Sequence, residues 1–200
     1  MCYSLEHFVV IGTLSSLTLL APTTAPYAKG GAVTPATVCD ADAPGLPPSI
    51  ALETGLEPIV RWTLENSPTF RRQCRVLAAA SQLTATVRVT ARTPDSNERA
   101  LSVVRRAPSG RIDVSIEIHN SSNLSELLGH EFEHVIEQLD GVDLQRLQSS
   151  GEARRIESGA FETRRAIAAG QRVSAEVLDN AEDRVRRAAG RIWRALTRLR

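Results

Sequence analysis

The hydrophobic pattern changes period several times along the chain. Residues Phe8 to Ala21 (FVVIGTLSSLTLLA) form an uncharged, mostly apolar run. That run is shorter than the roughly 20 residues of a spanning helix and has the length of a signal-peptide apolar core. Residues 29–49 (KGGAVTPATVCDADAPGLPPS) have no periodicity and read as an extended linker. Helical spacing begins at Glu57 and runs to Glu65, with Pro58 in the first turn, and Asn66 and Ser67 break it. Ser67-Pro68 restarts a helix as N-cap and first residue, with Phe70, Cys74, Leu77 and Ala78 on one stripe. The period then falls to two. Leu83 to Thr93 alternates, Pro94 to Asn97 makes a turn, and Ala100 to Arg106 offers a second strand. Ile112, Val114, Ile116 and Ile118 alternate strictly with Asp113, Ser115 and Glu117, the pattern of a half-exposed strand.

Helical periodicity returns at Leu124 and lasts to Leu139, through Leu127, Leu128, Phe132, Val135 and Ile136. Asn123 and Glu126 have capping-box spacing at its start, and Asp140-Gly141 supplies a left-handed stop. A further helix is expected from Ser158 to Ala169, ended by Gly170. The last runs from Ser174 to Leu199, with Leu178, Ala181, Val185, Ala188, Ile192, Leu196 and Leu199 as an apolar stripe. Together these elements predict an α+β fold, a small antiparallel sheet of about three strands packed on helices. The organisation reads as a signal peptide or N-terminal anchor over residues 1–28, a linker over 29–50 and one domain over 51–200.

Composition narrows the partners. The chain has 200 residues, 42% apolar and 24% charged, which is globular, and its net charge of +1 gives no general attraction to nucleic acid. Glu176, Asp179, Glu182 and Asp183 precede the arginines that begin at Arg184, an order that suits the helix dipole. The alternative for this Arg-rich face is contact with a membrane surface or anionic polymer. Residues 1–7 carry Glu6 and no Lys or Arg, unlike an ordinary signal peptide, so an uncleaved anchor stays open. Export to the periplasm or medium is the expectation. Cleavage would leave Cys39 and Cys74, which in an exported chain read as one disulfide worth roughly 3–4 kcal/mol.

The chemistry lies in the histidines. There are four, and residues 130–134 read His-Glu-Phe-Glu-His. A spacing of four on a helix turns by only about 40° and rises about 6 Å, so both imidazoles leave the same face. Two such imidazoles are half of a tetrahedral zinc site. Glu131 can reach a water held on the metal and take its proton.

These residues resemble the HExxH helix of the zincin metallopeptidases, in particular a small exported bacterial type. The resemblance covers the strand ending at Ile118, the loop to Asn123, the motif helix and a later helix offering a ligand. It implies Zn2+ as cofactor and a peptide or protein as substrate. Charged Glu133 departs from the usual uncharged middle positions. No histidine follows His134, so the resemblance is gluzincin-like and the third ligand a carboxylate. Glu162 is favoured because it shares a helical row with Ala166, Ala169 and Val173. Glu157 is the alternative through its Glu157-x-x-Ala160 pattern, and Glu152 a further one. His119, at the end of a strand, is a candidate to stabilise the oxyanion, with Arg164 and Arg165 behind it; Tyr3 and Tyr27 lie outside the mature domain.

The expected function is thus an exported zinc-dependent peptide hydrolase with Glu131 as base. The competing expectation is a non-catalytic envelope protein, with a structural zinc site or an Arg-rich helix that binds a partner.

Overall fold

The computed structural model describes residues 8–14, 45–90, 98–119, 123–156 and 159–197. The chain forms β1 (Phe8–Leu14), β2 (Ile50–Leu52), α1 (Glu57–Asn66), α2 (Pro68–Ala79), β3 (Leu83–Thr90), β4 (Glu98–Arg106) and β5 (Ile112–His119). It continues through α3 (Leu124–Leu139), α4 (Leu144–Ser149), β6 (Ala153–Arg155), β7 (Phe161–Thr163) and α5 (Arg164–Thr197). The α+β class is as expected. The sheet is not.

Its order is β1-β4-β5-β3-β2, and it is mixed. β2 pairs parallel with β3 and β3 parallel with β5, whereas β4 is antiparallel to both β5 and β1. The expected three-stranded antiparallel sheet is corrected to five strands, because β5 separates β3 from β4 despite the turn residues between them. β5 has the most regular alternation, and Ile112, Val114, Ile116 and Ile118 are all buried on one face. A strand so placed pairs along both backbone edges and takes the middle of the sheet. Residues of the Phe8–Ala21 run that are described form β1, and among the described residues no helix is long and apolar enough to cross a membrane.

α3 lies between this sheet and α5, and every residue from Leu127 to Gln138 is buried. Phe132 stacks on Phe70 of α2 with ring centroids 5.1 Å apart, joining the motif helix to the aliphatic core. The other side of α3 meets α5 at close range. A Cβ on Gly129 would lie 2.6 Å from Val173 Cγ2, and one on Gly170 would lie 2.8 Å from the Glu126 carbonyl oxygen. Gly170 therefore serves a helix crossing, not a helix end, and the two helices expected around it are one continuous α5 of 34 residues. This corrects the sequence reading.

Asn123 starts α3 as expected, but its side chain donates to the Glu126 carboxylate instead of closing a full capping box. The α2 start is better satisfied. Ser67 Oγ accepts from Phe70 N at 3.0 Å and donates to Glu176 Oε2 at 2.6 Å, while Glu176 also accepts from Thr69 N. A carboxylate from α5 thus caps α2 at its positive end. Cys74 is a free buried thiol on α2, which burial pushes up to about 12; Cys39 lies outside the described residues.

α5 outruns its partner. At about 1.5 Å per residue, 34 residues extend far past the 16 of α3. Leu178 and Val185 of its apolar stripe are consequently 61% and 69% exposed. The acids and arginines there form Glu182–Arg186 and Asp183–Arg187 pairs, and Arg184 lies over the Trp62 ring.

Candidate metal centre

Helical spacing puts His130 and His134 on one face of α3, and β7 brings Glu162 against them. The two Nε2 atoms are 3.1 Å apart. Glu162 Oε1 lies 3.1 Å from His130 Nε2 and 3.7 Å from His134 Nε2. The three ligand atoms lie within 4.8 Å of one another, and all three residues are buried. They could hold a metal ion.

The proton positions support that fit. His134 Nδ1 is 2.9 Å from Glu137 Oε2, and an ionised carboxylate only accepts, so Nδ1 carries the proton. A neutral His134 then directs its Nε2 lone pair at His130 Nε2. Glu162 Oε1 is buried without a well-formed hydrogen bond. Two imidazole nitrogens and a carboxylate oxygen converging in this way match the donor set of a divalent cation.

Glu137 and Thr163 fix the ligands from behind. Thr163 Oγ1 donates to Glu137 Oε1 at 2.7 Å and accepts from Ala166 N at 3.0 Å, at the start of α5. One hydroxyl therefore orients the carboxylate on His134 and holds the end of the strand that bears Glu162. Glu162 lies on β7, opposite Arg154 of β6. The helical-row argument named the residue but misplaced it, and this is corrected. Ala166 and Val173 do line the buried face of α5, one turn and more beyond. Glu157 lies outside the described residues, and Glu152 is exposed.

Glu131 is fully buried beside the cluster. Ser102 Oγ of β4 donates to its Oε2, while its Oε1 has no hydrogen-bond partner among the described residues. Burial raises the Glu131 carboxyl above the usual carboxylate range, against the opposing pull of His130, His134 and the Ser102 hydroxyl. Burial works the same way on Glu162, but the neighbouring histidines outweigh it and hold Glu162 down at about 2. Burial opposes charge on His134, yet the Glu137 hydrogen bond and then Glu162 lift it to about 9 before any metal displaces the proton.

The other candidates sit elsewhere. His119 follows buried Ile118 on β5, so strand alternation turns it to the opposite sheet face. Ser102 pairs with Ile116 and shares the face towards α3, so His119 is not brought to the cluster. Glu133 is buried and accepts from Gln73 Nε2 at 2.7 Å and Arg165 Nε at 2.7 Å, with Arg72 at 3.3 Å. It ties α2 and α5 to α3 and explains how a charged middle residue is tolerated in the motif. Arg164 is exposed.

Sequence reasoning missed Glu137, Thr163 and Ser102. Glu137 carried a signal, since three residues after His134 it shares that residue's helix face. Ser102 and Thr163 carried none, because both act through long-range pairing. Comparison of the chain with protein-family models, curated proteins and solved structures finds no match.

Proposed function

We propose that the chain is an exported zinc-dependent hydrolase acting on peptide bonds of a protein or peptide substrate. The observation that carries the reading is Glu131, a fully buried carboxylate with one oxygen unpaired, set beside His130, His134 and Glu162. Zinc held by these three would supply a Lewis acid that polarises a carbonyl and makes water acidic near neutral pH. Glu131 takes the proton of the attacking water through its free Oε1 and passes it to the leaving amine. Ser102 keeps Oε2 engaged, so the same oxygen faces the reaction in both steps. A carboxyl raised by burial suits both roles, since it holds a proton more readily than an exposed one.

The competing reading is a structural metal site. Structural zinc sites close with four protein ligands, whereas three converge among the described residues, which leaves a position for substrate or water. A buried carboxylate oxygen without a partner among the described residues also has no structural use.

The test pairs wild type with Glu131→Gln. Both should retain about one zinc, and hydrolysis of casein should fall by about 10²–10⁴-fold in the variant. Equal hydrolysis in both proteins would remove Glu131 from the chemistry and with it this reading.

A further inference from the structure

We infer that the outer edge of β4 is a groove for an extended apolar peptide, and that Phe8–Leu14 of the same chain is its built-in occupant. The inference rests on the hydrolase reading for what the groove is used for, but the groove and its occupant are independent of catalysis.

Without β1, β4 would be the edge of the sheet, with a row of unpaired backbone groups. β1 covers that row from Arg105 to Ala100 without a break, and after a register shift at Thr13/Leu14 reaches Glu98. Phe8 is opposite Arg105, Ile11 opposite Ser102, Gly12 opposite Leu101 and Thr13 opposite Ala100, all antiparallel. Ser102 is the residue whose hydroxyl holds Glu131, so the middle of the added strand passes the strand position nearest the general base. On its other side β1 approaches β7, which carries Glu162. A seven-residue extended segment therefore runs between the two strands that supply the site's Ser102 and Glu162.

Its sequence, FVVIGTL, is uncharged and largely β-branched or aliphatic, as an added strand requires. Residues 15–49 connect it to β2. Covalent attachment makes the pairing of β1 with β4 intramolecular, which favours even a weak segment over dilute substrate. Removal of the segment by cleavage, or its withdrawal into another environment, would expose β4. The chain with its N-terminal segment in place is thus a latent form, and a peptide added in the same direction as β1 is the class of ligand the exposed edge takes.

The test introduces a specific protease site within residues 29–44 of the full chain and compares uncut and cut protein. Amide hydrogen exchange of Glu98–Arg106 is the first readout. The amides of that segment that face β1 should be protected in the uncut chain, exchange at least tenfold faster once the fragment has been cut and washed away, and regain protection when a synthetic peptide of residues 6–16 is added, while those that face β5 stay protected throughout. A labelled form of that peptide should bind cut protein and fail to bind uncut protein. Casein hydrolysis should rise by about tenfold on cutting and fall when the peptide is returned. Unchanged exchange on cutting and washing, or equal peptide binding by both forms, would overturn the inference. Altered exchange and selective peptide binding with no hydrolysis in either form would uphold the occupied groove and instead count against the hydrolase reading.

Discussion

Glu137 shows how much of the site depends on residues that touch no metal. It fixes the His134 tautomer through Nδ1 and is itself fixed by Thr163. Partners of this kind are commonly worth 10–100-fold in metal affinity. Glu137→Ala should therefore weaken zinc binding by about that factor in a chelator competition, with Glu137→Gln losing less because an amide oxygen still accepts from Nδ1–H. Equal, negligible losses in both would show that Glu137 does not orient His134. The pH dependence follows from the same contact. His134 must lose its proton to bind zinc, and without metal Glu137 and Glu162 hold that proton up to a pKa of about 9. Below pH 9 the metal competes with one proton, so apparent zinc affinity should rise about tenfold per pH unit between pH 6 and 8. Glu162, held near 2, is ionised throughout and adds nothing to that slope. A flat profile would mean that the ligand is already deprotonated.

At the scale of elements, the α3–α5 crossing decides whether the site can form. Gly129 and Gly170 let the helices approach, and α5 begins at the strand that carries Glu162. Gly129→Ala places a methyl against Val173 and should cost about 1–3 kcal/mol in chemical denaturation, as overpacked cores do. Gly129→Ala with Val173→Ala should recover part of that loss, because the clash is with the Val173 side chain. No recovery would mean the cost lies in the backbone.

The same crossing marks the limit of what the sequence made legible. Local signals were sufficient for α1 and α2, where Pro58 and Ser67-Pro68 mark the starts, and for α3, whose period and Gly141 stop agree with its observed span. They were sufficient for His130, Glu131 and His134, which share one helix. They failed where the deciding neighbour is distant in sequence. A glycine that permits a crossing looks like one that ends a helix, and Glu162 on a three-residue strand has no periodicity of its own. The strand order was hidden for the same reason, since only tertiary packing puts β5 between β3 and β4. β2, α4 and β6 are three to six residues each, too short for a periodic signal.

At the scale of the whole molecule, the fold brings three separate layers to one point. The sheet supplies Ser102, the central helix supplies His130, Glu131 and His134, and the small β6–β7 sheet supplies Glu162. Buried polar groups at that point are nearly all accounted for, through Glu133 to Arg165 and Gln73 and through Glu137 to Thr163 and His134. Among the described residues, one oxygen of Glu131 has no hydrogen-bond partner, and Glu162 Oε1 meets only the two histidine nitrogens, without a well-formed hydrogen bond. Such groups are costly in a buried site unless something outside the chain engages them.

The most direct test of that account is X-ray absorption at the zinc edge of the full chain after addition of one equivalent of zinc, beside Glu162→Ala. Wild type should show two imidazole nitrogens at about 2.0–2.1 Å with oxygen completing the shell. Glu162→Ala should lose one oxygen or release the metal. No bound zinc, or a shell without imidazole, would contradict the metal centre and every functional step built on it.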